Sequence, residues 1–291
     1  MDNIRRRASI LPAPGRLVVY GLLLLFAAFY LVPLCVVALN SVRTLEEITH
    51  TSVIGWPNGL ALENFKRAWS EYCIADACFG IQPYMLNSLL MVIPATILST
   101  LLGALNGYSL SLWRFHGDNW VFAILTLGVF LPDQMKLIPW VIVLRDLHLF
   151  NTVMGLVMIH VIQGLCFTTL FCRNYFLSVP IELIKAAKVD GASYFRIFWS
   201  IILPISPPIL VVTAIWQFTG IWNEFIFGVT FSSGTHQPIT AALVALSQTA
   251  GASAEYGVQS AAVLLAAIPT LLVYFFGGKY FIRGLTAGAV K

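Results

Sequence analysis

The sequence predicts an all-α polytopic membrane protein with six transmembrane helices and both termini in the cytoplasm. Three observations predict it. Of 291 residues, 58% are hydrophobic and only 10% are charged, where an ordinary soluble domain carries about 25% charged residues. Charge that sparse cannot cover a water-facing surface on a chain of this length, so lipid must be part of the solvent. Six segments approach the roughly 20 apolar residues that a spanning helix needs: 17–39, 85–108, 119–137, 153–172, 206–230 and 258–282. The third observation is the unequal distribution of Lys and Arg between alternate loops.

The first span follows Arg5, Arg6, Arg7 and Arg16. Its apolar run is longer than the core of a signal peptide, and no small-x-small cleavage pattern follows, so it reads as a retained span. Residues 1–16 are then a short cytoplasmic segment, and 17–291 form a single transmembrane domain. The second span follows a long loop, 40–84, which carries the turn residues Trp56-Pro57-Asn58-Gly59 and an amphipathic stretch from Glu63 to Tyr72. Cys73 and Cys78 lie in the same loop. An oxidising compartment favours a disulfide between them, but spacing alone does not establish one. Cys35, Cys166 and Cys172 sit in apolar segments and read as small buried hydrophobes.

The third span is the weakest. Its apolar run from Trp120 to Pro132 is followed by Asp133, Gln134 and Lys136, then by a second run over 137–144. Two crossings here would give seven spans, and charge decides against that. With six, the inner side holds twelve of the seventeen Lys and Arg residues, leaving only Arg43, Lys66, Arg67, Lys136 and Arg145 outside. A seventh would place the basic 173–196 loop outside, against the positive-inside tendency. The stretch 137–152 is therefore expected to lie laterally at the outer interface. The fourth, fifth and sixth spans are cleaner. Between the last two lies an external loop, 231–257, small, polar and almost free of charge.

Little in the chain suggests catalysis. No GxxxxGK[ST] phosphate loop is present, so any nucleotide site belongs to another chain. HExxH, paired CxxC and GxSxG are also absent, no metal site is expected, and the five histidines are dispersed. His160 lies mid-span with Gln163 about one turn on. They read either as a polar packing pair between helices or as lining of a solute path. Glu224, beside Asn223, is the only carboxylate inside a clear span and reads first as a cap or brace. So few buried carboxylates disfavour a proton-coupled carrier.

The richest cytoplasmic segment is Val179-Pro180-Ile181-Glu182-Leu183-Ile184-Lys185-Ala186-Ala187-Lys188-Val189-Asp190-Gly191-Ala192-Ser193-Tyr194-Phe195. It predicts helix, break, helix across 178–204. Glu182 suits the positive end of the first helix, and Lys185 and Lys188 its other end. Gly191 can adopt the left-handed conformation that ends a helix, and Asp190 or Ser193 can cap the next. Phe195, Phe198 and Ile202 are expected to form an apolar face. Ala186 and Ala187 leave a small-residue surface for a partner.

This segment resembles the EAA loop of binding-protein-dependent ABC importer permeases, in Pro180, Glu182, Leu183, Ala186, Ala187, Asp190, Gly191, Ala192 and the closing Leu203-Pro204. Lys185 departs from the pattern, which usually has glutamate there. Asn64-Phe65, Asn87-Ser88, Trp222-Asn223-Glu224-Phe225 and the tail Phe281–Lys291 resemble the carbohydrate-uptake branch, of the maltose-permease type. The cysteine-bearing loop and Arg173-Asn174-Tyr175-Phe176 look most like glucose/mannose permeases. The resemblance implies a non-enzymatic transport subunit of the cell inner membrane. Its implied partners are a second permease, two ATPase subunits that bind ATP and Mg, and an extracytoplasmic sugar-binding protein. No cofactor is implied on this chain, and no nucleic acid is a partner. Glu182, Lys185, Ala186, Ala187, Asp190, Gly191 and Ala192 are then the ATPase coupling residues, and the loop 231–257 touches the binding protein. The alternative is an ion-coupled secondary sugar carrier.

Overall fold

The computed structural model describes residues 13–52, 54–74, 77–248 and 255–289, with side chains described from 15 to 278. The arginines at 5–7 and most of the 1–16 segment thus lie outside the described residues, as do the side chains of the tail. The described chain is helical, with a single isolated antiparallel bridge between Ile74 and Ala77.

The helices are α1 (Ala13–Ser41), α2 (Leu45–His50), α3 (Glu63–Ser70), α4 (Gln82–Leu112), α5 (Asp118–Phe130), α6 (Asp133–Asp146), α7 (Val153–Phe176) and α8 (Ile181–Val189). They continue with α9 (Tyr194–Ile205), α10 (Pro207–Asn223), α11 (Ile226–Phe231), α12 (Ile239–Gln248) and α13 (Tyr256–Ala289). Four of these are long and apolar enough to cross a membrane, and the bent pairs α5–α6 and α9–α10 raise the number to six if each pair is one span.

Two spans and one loop depart from the sequence expectation. The third ends at Leu131-Pro132, short of residue 137, and the chain then turns by 105° into α6. Pro132 sets this break, because its preceding residue is pushed out of helical geometry. The α5–α6 pair is thus sharply bent and does not form one straight helix. The fifth span is not continuous over 206–230. It begins after an 82° bend at Ser206 and stops at Asn223. Glu224 is extended (ψ 129°), and its carboxylate accepts from the backbone N–H of Phe227 at 2.8 Å and Gly228 at 3.3 Å, capping α11. The loop after it is not wholly polar irregular chain, since α12 is an apolar helix burying Ile239, Ala241, Ala242 and Leu246.

The chain divides into two compact units. One comprises residues 1–68 and 251–265. Within it α1 is exposed along its membrane-length window, Cys35 included, so its apolar surface is left for lipid or another chain. The loop after α1 is built around Arg43, which is buried at 1% exposure. Its guanidinium donates to Asn40 Oδ1 at 3.1 Å and to the carbonyl of Glu47 at 2.9 Å. A reciprocal capping box joins Thr44 and Glu47 at the start of α2, an arrangement that satisfies two otherwise orphaned donors. Asn64 donates to the carbonyls of Ser41 at 3.0 Å and Arg43 at 2.9 Å. Arg67 donates to Glu255 Oε1 at 2.7 Å.

The second unit comprises 69–250 and 266–291. Its centre is the α4–α7 pair. Small residues let the two backbones meet, as membrane packing without a hydrophobic drive between helices requires. Gly103 lies directly against Thr168, whose hydroxyl donates to the carbonyl of Ser99 at 2.8 Å. Gln217 of α10 donates to Ser99 Oγ at 3.0 Å, over Gly164. At the start of this unit Cys73 and Cys78 are joined as a disulfide, both exposed.

Candidate functional site

Two places in the second unit gather the residues singled out from sequence. The first is the α8–α9 hairpin. Glu182 lies in the first turn of α8 and Lys188 in the last, so both charges complement the helix dipole. Asp190 ends the helix, and Gly191 follows at φ +76°, the left-handed conformation in which a Cβ is disfavoured. Ser193 begins α9 without a side-chain capping bond. A π turn at Phe198–Ile202 and Pro204 carry the chain to the bend at Ser206.

Burial sorts the predicted residues into two groups. Ile184 and Ala187 are buried against Ala104, Tyr108, Cys172, Phe176 and Phe198. Ala187 therefore anchors the hairpin to its own chain and is not part of an open small-residue surface. Glu182, Lys185, Ala186, Asp190 and Gly191 are exposed, and Ala192 is half-buried. The expected apolar face also changes: Phe198 and Ile202 are buried, together with Ile197, while Phe195 is 59% exposed. The π turn widens the helix by one residue, so spacing counted at 3.6 residues per turn misassigns Phe195. Sequence reading missed Val189, which stands 87% exposed at the tip. An unpaired valine beside a charged helix end was the available signal.

The second place is a cavity of about 450 Å³ bounded by α5, α6, α7, α10 and the 224–227 segment. His160, Gln163 and Glu224 all line it; Asn223 does not, and is exposed. His160 is 5% exposed, its ring 5.7 Å from that of Phe227, and its Nε2 has no protein partner. Gln163 does not bond His160; its amide donates to Asp133, which also pairs with Lys136 at 2.6 Å. Phe167 and Trp216, stacked at 5.1 Å, form an aromatic wall. Asp133, Lys136 and Gln217 were missed as cavity residues, because their meeting depends on the bend at Pro132. Polar groups of both signs beside an aromatic wall suit an uncharged ligand that both donates and accepts hydrogen bonds. Among the described residues, no three His, Cys, Asp or Glu side chains gather as a metal site.

Helices of membrane length define an integral membrane protein. The chain belongs to the family of binding-protein-dependent transport system inner membrane components, which it matches over residues 8–286. It is thus a multi-pass inner-membrane transport subunit and not an enzyme. It is 36% identical to a probable ABC transporter permease of Pyrococcus horikoshii, over 96% of this chain and 98% of that one. It is 32% identical to a xylose/arabinose import permease of Haloferax volcanii, over 94% and 93% of the two chains. A diacetylchitobiose uptake permease of Streptomyces coelicolor is 31% identical, over 88% and 82%. The fold is similar to a chain of a bacterial ABC transporter that imports the acidic polysaccharide alginate, with a TM-score of 0.77 and 20% identity over 94% of this chain and 99% of that one.

Proposed function

We propose that this chain is one permease subunit of an ATP-driven, binding-protein-dependent carbohydrate importer, and that its substrate is a monosaccharide of the glucose/mannose kind. The observation that carries the reading is the hairpin: a nine-residue helix anchored by Ile184 and Ala187 that leaves Lys185, Ala186 and Val189 open to solvent. Relatives named for xylose/arabinose import and for diacetylchitobiose uptake support a carbohydrate substrate. The cavity at His160 and Gln163 is this subunit's share of the solute path.

The partners are a second permease, two ATPase subunits, one of them seated on the α8–Gly191 tip, and an extracytoplasmic binding protein that meets the loop after α11. ATP and Mg act on the ATPase subunits, and this chain binds no cofactor. A conformational change needs an interaction that differs between the two states, so the hairpin must be gripped differently when nucleotide is bound. The test is copurification and uptake. In the assembled complex, Ala186→Glu and Val189→Asp should lower ATPase recovery and abolish ATP-dependent uptake of D-glucose and D-mannose. Full ATPase recovery with both variants would refute the docking surface. Uptake by vesicles lacking any ATPase, driven by an ion gradient, would establish a secondary carrier instead.

A further inference from the structure

Lys188 is an exposed residue of the hairpin whose Nζ lies 3.7 Å from the ring centroid of Trp113, the residue that ends α4. A cation over an indole face is a directional contact, unlike the apolar packing of Ile184 and Ala187. It does not stand alone. Tyr194, opening α9, sets its ring edge-on to Trp113 at 5.3 Å and lies 4.9 Å from the ring of Tyr108. Its hydroxyl hydrogen-bonds Ser109 Oγ. Both arms of the hairpin are thus clasped to the last turns of one helix. The turn beyond Trp113 is braced in its own right, since Arg114 pairs with Asp118 at 2.8 Å.

The opposite end of α4 is clasped too. Asn87 donates to the carbonyls of Thr235 at 2.6 Å and Gln237 at 3.0 Å, and Ser88 Oγ accepts from the N–H of Ile239 at 2.8 Å. These bonds hold the loop between α11 and α12. From Asn87 to Trp113 the helix runs about 40 Å at 1.5 Å per residue, continuous through Pro94. Its middle is held against α7 by glycines that allow no sliding apart without loss of packing.

We infer that α4 is the element that carries the nucleotide state from the hairpin to the outer loop, with Lys188, Trp113 and Tyr194 as the inner clasp and Asn87 and Ser88 as the outer one. These are positioning residues: none needs to touch ATPase or sugar. The inference rests on the hairpin being the ATPase seat.

The test uses the complete complex in lipid nanodiscs, with an environment-sensitive fluorophore attached through His236→Cys in a Cys35→Ser background. His236 is exposed on the outer loop. Trapping with Mg-ATP and vanadate should shift its emission. In Lys188→Met and in Asn87→Leu the shift should be lost, while ATPase copurification and hydrolysis persist. Lys188→Arg, which keeps a cation over the indole, should retain the shift. A full response in either Lys188→Met or Asn87→Leu would overturn the inference. Should Lys188→Met fail to assemble, Ser109→Ala removes the partner of the Tyr194 hydroxyl and tests the same clasp. A parent complex that keeps its ATPase yet shows no shift on trapping would also overturn the inference, whereas one that loses its ATPase would sink the docking reading.

Discussion

Gly107 of α4 and Cys172 of α7 meet with no space for another carbon: a Cβ on Gly107 would stand 2.8 Å from the Cβ of Cys172 and 2.7 Å from the backbone nitrogen of Arg173. Backbone cannot swing aside as a long side chain can. Gly107→Ala should therefore destabilise the α4–α7 pair by about 1–3 kcal/mol, the usual cost of overpacking. Gly220→Ala, where nothing lies within 4 Å, should be neutral. Thermal unfolding in detergent compares the two, and an equal effect would contradict the packing.

Ala186 and Ala187 are neighbours with opposite fates. Ala187→Glu buries a carboxylate in the apolar cluster under the hairpin, a change that costs several kcal/mol when no partner is available. It should deplete the chain from the membrane fraction. Ala186→Glu, on the exposed side, should leave abundance unchanged and act on the partner alone. Normal abundance of Ala187→Glu would show that the hairpin is looser than its burial implies.

Glu47 titrates outside the spans. Backbone N–H groups of Thr44 and then of Asn58 donate to its carboxylate and hold it below the ordinary value of 4.5. A carboxylate depressed on folding stabilises above its unfolded pKa and loses that contribution as pH falls through the folded one. Amide-exchange protection at Asn58, corrected for intrinsic rate, should thus stay level from neutral pH down to about 4 and fall only below it. Glu47→Gln should abolish the pH dependence. Loss of protection well above that range would contradict the assignment.

Cys73 and Cys78 are both exposed, so access does not limit their chemistry. In native membranes neither should react with maleimide until a reductant is added, and both should react afterwards. Free reaction without reductant would refute the bond.

The places of the long apolar helices were legible in the residues because they follow from a one-dimensional quantity, the length of apolar runs. So was the hairpin, since Gly191 must take a conformation that few other residues tolerate. What faces what was decided only by tertiary structure. Ala187 and Val189 are both apolar and two residues apart on one short helix, so composition does not tell the buried one from the exposed one. Nor could spacing reveal that Asp133 and Lys136 share a cavity with His160 and Glu224, because a sharp bend after α5 brings them there.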